Sequence, residues 1–287
     1  MASLKEVKGR IASVNSTRKI TSAMKMVASA KLHKAQAAIE SMLPYERRLH
    51  HILTDFMSNC TEVTSPFIVK REVKKVAVVV FASNTSLCGG FNANVIRHLV
   101  DLLAEYKPLG LENILVFPVG KKVADAVRKL GFRIEGDFQH MADKPSYQEA
   151  ADLAADLMKR FLHGDVDKVE LLYNHFKSTA SQILTRETYL PIDLNNEKKE
   201  DERTIDYILE PSAEELMQEM LPKVLRMKMF TVLLDSNAAE HAARTMAMQI
   251  ATDNANELLQ ELTVMYNKSR QQSITNELLD IVGGSMA

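Results

Sequence analysis

Both ends of the chain are long stretches almost without helix breakers, and this limits the fold more than any other feature. From Leu4 to about Asn59 there is one glycine, Gly9, and one proline, Pro44; from Ser212 to Val282 the sole breaker is Pro222. Leu4, Val7, Ile11 and Val14 advance by three, four and three, and Ile20, Met24 and Val27 by four and three. This is helical periodicity close to a heptad. In the C-terminal stretch Ser212 stands as an N-cap with Glu215 three residues on. Ala239, Ala243, Met246 and Ile250, then Leu258, Leu262 and Met265, repeat the pattern. The step from Ile250 to Leu258 slips the heptad, so an irregular supercoil is expected. Helices of roughly 50 and 70 residues span on the order of 75 and 100 Å. Neither can bury its stripe alone. The two ends are therefore expected to pair as an antiparallel coiled coil, with Pro44 kinking or redirecting the first helix.

The middle of the chain changes period. "KKVAVVVF" and "NILVFPVG" are continuous apolar runs of the fully buried strand kind, whereas "DKVELLYNHF" and "ILTRETYLPI" alternate as half-exposed strands do. Helix candidates lie between them at Ala93 to Tyr106, Lys121 to Leu130 and Ser146 to Leu162. Strands alternating with helices indicate a Rossmann-like α/β domain with a largely parallel sheet. The expected organisation is an N-terminal coiled-coil helix over 1–59, a central α/β domain over 73–209 and a C-terminal coiled-coil helix over 212–287. Asp193 to Arg203 reads as a polar, mobile loop.

A search for chemistry begins at "SLCGGFN", where a cysteine and paired glycines follow the first strand. A P-loop needs GxxxxGK[ST], because a lysine and a hydroxyl must reach the phosphates and the metal. Here Gly89 and Gly90 are followed by Phe91, Asn92 and Ala93, and GxGxxG is absent too. The glycines then serve a tight strand-to-helix turn. A nucleophilic Cys88 would need a base partner, and His98, His140, His163 and His175 stand in no recognisable motif. His50 and His51 are adjacent, a spacing that points two ligands apart on a helix, and HExxH does not occur. No catalytic residue, cofactor or metal site is expected.

Composition adds boundaries. The net charge of −1 gives no global field for nucleic acid, although Lys5 to Lys34 carries eight cationic side chains against the single Glu6. Two cysteines, Cys60 and Cys88, make no disulfide framework and suit a reducing compartment. The N-terminus lacks the apolar run of a secretory signal, and no segment has the roughly 20 apolar residues of a membrane span.

The extremities carry a resemblance. "GRIASVNSTRKITSAMKMVASAKLHKAQ" and "ARTMAMQIATDNANELLQELTVMYNKSRQQSITNELLDIVGG" are similar to the terminal helices of the gamma subunit of F-type ATP synthases of bacterial type. Ile274, Thr275, Glu277, Asp280 and Gly284 match the family's terminal signature, with Ser285 in place of alanine. "LCGGFN" matches its Gly-Leu-Cys-Gly segment, while "SNTS" stands where "SDRG" is usual. The resemblance implies a non-catalytic rotor shaft in the bore of a ring of three alpha and three beta subunits. It would stand on the membrane c-subunit ring beside epsilon and couple proton flow to ATP synthesis or hydrolysis. It further implies polar contacts with beta from Arg244, Arg270 and Gln271, and a face turned to beta at Met24 and Lys25. An apolar bearing would be formed by Ile274, Leu278, Leu279, Ile281 and Val282, and a foot on the c ring and epsilon by Tyr207 and Glu210. The implied location is the bacterial inner membrane, peripherally on its cytoplasmic side. Two rivals stay open: an enzyme built on the middle domain, and a coiled-coil tether without a motor.

Overall fold

A computed structural model of the chain describes residues 3–59, 65–192 and 213–285. Two helices dominate it, α1 (Leu4–Asn59) and α6 (Ala213–Ser285). Between them lie β1 (Val76–Phe81), α2 (Phe91–Tyr106), β2 (Ile114–Val119), α3 (Lys121–Leu130), β3 (Arg133–Ile134), α4 (Gln139–Asp143), α5 (Tyr147–His163), β4 (Lys168–Phe176) and β5 (Gln182–Leu190). The expected middle helices and strands are all present. Tyr207, Glu210, the Ser212 cap and the 193–203 loop lie outside the described residues.

The sheet order is β3-β2-β1-β4-β5, parallel throughout except for the antiparallel β4–β5 hairpin at one edge. Helices cover both faces. Val76, Val78 and Val80 point towards α2 and α3, with Val95, Leu99, Leu103, Val123 and Val127. Ala77, Val79 and Phe81 point to the opposite face, where Leu153, Leu157 and Phe161 of α5 meet Met217, Leu221, Leu225 and Met229 of α6. The first third of α6 is thus part of the domain core, and the central domain and the C-terminal helix share one hydrophobic interior. β4 departs from expectation. It is buried from Val169 to Asn174, not half-exposed, because it lies between β1 and β5 with α6 against it. Its alternation of polar and apolar residues includes Glu170, a buried carboxylate paired with Lys168 and Arg186.

α1 packs antiparallel along α6. The Thr21 and Thr252 hydroxyls meet at 2.8 Å, and Arg18 donates to Asn256 at 3.3 Å. Leu32 and Ala35 further along α1 pack on Ala238 and Ala242. Pro44 does not interrupt α1, nor Pro222 α6; Pro44 is exposed, where water can take the carbonyl that its ring leaves without a donor.

Candidate functional site

The seam between the two helices is regular, and this overturns the expected slip. Burial on α1 follows Leu4, Val7, Ile11, Val14, Arg18, Thr21, Lys25, Ala28, Leu32, Ala35 and Ile39. On α6 it follows Ala238, His241, Thr245, Met248, Thr252, Ala255, Leu259, Leu262 and Tyr266. Both series step by three and four without a break, as a heptad requires. After Val14 the seam of α1 passes to two cations, Arg18 and Lys25, alternating with Thr21 and Ala28. Ile20 and Val27, expected inside, are exposed, and Met24 flanks the seam at intermediate burial. Likewise Met246, Ile250, Leu258 and Met265 face outward. In the middle of the seam small and polar residues replace large ones, which lets the two helix backbones approach closely there, while Val7, Leu32, Met248 and Leu262 keep it apolar elsewhere. Ile20, Val27, Met246 and Ile250 are left on the outside of the rod.

Exposed apolar side chains therefore line the rod on both helices: Ile20, Met26 and Val27 on α1, and Met246, Ile250, Leu258, Val264 and Met265 on α6. In the register set by the threonine pair, Leu4 lies level with Ser269. Beyond that level α6 continues for about another 20 Å. There Ile274, Leu278, Leu279, Ile281 and Val282 are exposed, as are Arg270 and Gln271 just below them. Contiguous exposed apolar surface of this kind marks a surface meant for contact with another molecule.

The other end of the rod meets the domain at a defined place. In a doubly wound sheet, ligands bind outside the carboxyl ends of the strands where the strand order reverses. Here that point lies between β1 and β4. Much of this crevice is filled by α6. Asp235 accepts from the Phe176 backbone N–H at 2.8 Å and meets His175 Nδ1 at 2.7 Å. Ala239 packs on Cys88 and Phe91. Asn237 donates to the Ala142 carbonyl at 2.9 Å.

The glycine turn is held by the same helix. Arg244 is buried; its guanidinium donates to the Ser86 carbonyl and pairs with Glu240 at 2.7 Å. The side chain for which the resemblance implies a beta contact is thus committed within the chain. Cys88 is 1% exposed, and its Sγ lies 3.2 Å from Asn92 Nδ2 and 3.7 Å from Ser83 Oγ. The four histidines considered as its base are engaged elsewhere, with Asn94, Glu149, Lys159 and Asp235. Leu87, at the apex, has φ of 67° and is 60% exposed, the one non-glycine residue at positive φ among those described. Such a conformation costs on the order of 1–3 kcal/mol and persists when surrounding bonds enforce it. Sequence gave no sign of it.

Two further groups escaped sequence reasoning because each is completed by residues from distant segments, Tyr106 and Arg186 in the first, Lys31 and Asp143 in the second. Glu170, 2% exposed on β4, accepts from Lys168 at 2.6 Å, Arg186 at 2.9 Å and Tyr106 at 2.8 Å. Burial alone would raise its carboxyl, but the bonds from Arg186, Lys168 and Tyr106 outweigh it and hold it below the usual range. Arg186 also reaches Glu105 at 2.7 Å, so the cluster ties edge strand β5 to α2. The second group lies on α6 where rod meets domain. His241 is pushed down to about 4 by burial and by the charges of Lys31 and Arg244, with Asp143 opposing. Its Nδ1 has no hydrogen-bonding partner among the described residues. Burial raises the neighbouring Glu240 carboxyl despite its bond to Arg244.

A pH dependence follows. A histidine with a depressed folded pKa stabilises the fold above its unfolded value near 6.5, and that contribution is lost as the pH falls towards about 4. The loss should reach about 2 kcal/mol by pH 5. Glu240, shifted upward, works in the opposite direction and moderates the total. Denaturant midpoints at pH 7 and pH 5 should therefore fall less for His241→Gln than for the wild type. Equal falls would refute the assignment.

The comparisons with known proteins agree with this geometry. The ATP synthase family model matches residues 3–287. The ATP synthase gamma chain of Phocaeicola vulgatus is 81% identical over 289 aligned residues, covering all of both chains. That of Bacteroides thetaiotaomicron is 64% identical, again over the full length of each. Among solved structures, a chain of the Euglena gracilis mitochondrial ATP synthase OSCP/F1/c-ring assembly superposes with a TM-score of 0.62. It is 19% identical, and the match covers 99% of this chain and 93% of that one, so it speaks to the fold. A paired-helix rod, a doubly wound domain sharing its core with the C-terminal helix, and end-to-end similarity to these relatives place the chain in the ATP synthase gamma chain family.

Proposed function

We propose that the chain is the central rotor shaft of an F-type ATP synthase, coupling proton flow through a membrane c ring to ATP synthesis or hydrolysis on a surrounding ring of subunits. The observation that carries this reading is the outward-facing apolar surface of the rod. A coiled coil that hid its large apolar residues would suit a passive tether, whereas one that displays them needs a partner along its length. Two helices of different sequence also make a rod whose faces differ. A ring of three alpha and three beta subunits would meet a different face at each catalytic site. The rod can shift a site's conformational equilibrium only by differential contact energy, about 5 kcal/mol for a near-complete switch.

In this reading Met24, Lys25, Arg270 and Gln271 contact beta subunits, with the exposed apex Leu87 added to them. Arg244 acts on the same surface indirectly, by holding the glycine turn through Ser86. Ile274, Leu278, Leu279, Ile281 and Val282 form an apolar bearing, where directed bonds would lock a rotating end in one register. Tyr207 and Glu210 serve the foot on the c ring and epsilon. The chain contributes no catalytic group; nucleotide chemistry belongs to the ring. Among the described residues no helix is long and apolar enough to cross a membrane. Attachment to the cytoplasmic side of a bacterial inner membrane would then run through the c ring.

Engineered cross-links test rotation. With Cys60 and Cys88 replaced by serine, a cysteine at Ile250 disulfide-linked to the facing ring subunit should abolish at least about nine-tenths of ATP turnover. Reduction should restore it. The same link at Leu279 should be tolerated better, since a lone helix end can swivel or fray. Undiminished turnover with Ile250 fully linked would exclude the rotor and leave the tether.

A further inference from the structure

We propose that Asn84 is the positioning residue of the glycine turn, fixing through one side-chain amide where the exposed apex Leu87 stands relative to the rod. The inference deepens the rotor reading and rests on it for the contact that Leu87 makes with the ring. Asn84 lies in "SNTS", where the chain departs from the segment it resembles, three residues before the apex. The turn leaves β1 after Phe81 and enters α2 at Phe91. Two of its residues, Leu87 and Gly89, have left-handed backbones, with φ of 67° and 59°. For leucine that conformation is unfavourable, and it persists only where surrounding bonds hold it.

Two sets of bonds act on the turn. The first stays within it and the helix it enters. The Ser83 hydroxyl donates to the Thr85 carbonyl at 2.7 Å, and Asn92 of α2 accepts from the Ser83 N–H at 3.1 Å. Such bonds shape the turn without fixing it against the rest of the molecule. The second set reaches outward. From the rod side, Arg244 holds the Ser86 carbonyl. From the sheet side, beyond Ser83, the hydrogen bonds among the described residues are those of Asn84. Its Oδ1 accepts from the Lys121 N–H at 2.8 Å, and its Nδ2 donates to the Gln139 carbonyl at 2.8 Å. Lys121 opens α3 and Gln139 opens α4, and these helices pack on opposite faces of the sheet. One half-buried amide thus joins both layers to the turn at the carboxyl ends of the strands. Since one partner is a donor and the other an acceptor, the amide has a single fitting orientation. An aspartate, usual at this position in the segment resembled, accepts but does not donate when ionised, so the bridge depends on this chain's own asparagine. Asn84 and Arg244 clamp the turn from two sides, and releasing either lets the left-handed apex relax.

Nuclear magnetic resonance relaxation on the isotope-labelled full-length chain tests the clamp. The Leu87 backbone amide should show a rigid order parameter of about 0.85 in the wild type and fall below about 0.6 in Asn84→Leu, which keeps the size but loses both bonds. Ile250 on the rod should be unchanged. Should Asn84→Leu misfold, Lys121→Pro tests the same clamp from its other end. It removes the N–H that Asn84 accepts, at the first position of a helix, where proline fits, and should loosen Leu87 alike. The assembled ATP synthase then supplies a readout that a general loss of stability would not give. Asn84→Leu and Leu87→Ala should each lower ATP turnover about fivefold, and the double variant should fall no further than Leu87→Ala alone. An apex as ordered in the folded variants as in the wild type, unchanged turnover in Asn84→Leu, or additive losses in the double variant would overturn the proposal. The Ile250 cross-link judges the rotor reading separately, and the order parameters of Leu87 are read without the ring.

Discussion

Replacing Gly120 by alanine should destabilise the chain by at least about 4 kcal/mol and deplete soluble folded protein, among the largest effects available to one methyl group. Gly120 joins β2 to α3 with φ of 115°, outside what side-chain-bearing residues adopt readily. A Cβ there would stand 2.2 Å from the Ala82 carbonyl oxygen and 2.8 Å from its carbon. Those atoms are backbone, and they cannot retreat by a rotamer change. Ala82 is fixed by its own N–H, which donates to Val119 at 2.8 Å, and the next residue by Lys122 N–H donating to Ser83 at 3.2 Å. Relief would require β1 and β2 to separate at their carboxyl ends, where α6 crosses the sheet. Gly131→Ala provides the control. That residue also has positive φ, 78°, but a Cβ would meet nothing within 4 Å, so the cost should be about 1–2 kcal/mol. Denaturant midpoints of the two variants by circular dichroism decide it. Similar modest losses would mean that β1 and β2 can part freely at this end.

Glu170→Ala should be the most damaging change to a single polar side chain, at about 3 kcal/mol. Removing one member of a buried ion cluster leaves its partners without an acceptor, which commonly costs about 3–5 kcal/mol. The lower end applies because Lys168 and Arg186 are partly exposed and can turn to water. The damage should be local as well as global. Arg186 would lose its hold on β4, and amide exchange in β5 from Leu184 to Thr188 should quicken more than in β1. The triple change Lys168→Met, Glu170→Leu and Arg186→Met should recover most of the loss, since a well-packed apolar replacement often equals a buried ion pair. A triple variant no more stable than Glu170→Ala would show that the cluster, and not the penalty of orphaned charge, sustains the hairpin.

These two sites show what was legible. The turn after "NILVFPVG" could be placed from its glycine, but the identity of the atom behind the missing Cβ could not, since Ala82 is brought there by strand pairing. Lys168, Glu170 and Arg186 read as surface alternation in "DKVELLYNHF" and "ILTRETYLPI", because a strand pattern does not reveal whether its polar face meets water or a counter-charge. Arg244 shows the same limit. Resemblance marked it as important for a partner, and the fold turns it inward onto Ser86.

The terminal helices show where the boundary falls. Freedom from glycine and proline, with three-four spacing, was enough to specify two long helices, and the short apolar runs and turn glycines were enough for a largely parallel sheet. Those are local properties, written into neighbouring residues and their backbone preferences. Which face of each helix would turn inward was a joint property of the pair. Apolar strength favoured Ile20 and Val27 against Met246 and Ile250. Close approach of the two backbones favoured Thr21 and Ala28 against Thr252 and Thr245, and it prevailed. Only with both helices in place do Thr21 and Ala28 displace their larger neighbours from the middle of the seam, and only then are Ile20, Val27, Met246 and Ile250 left outside for another molecule to meet.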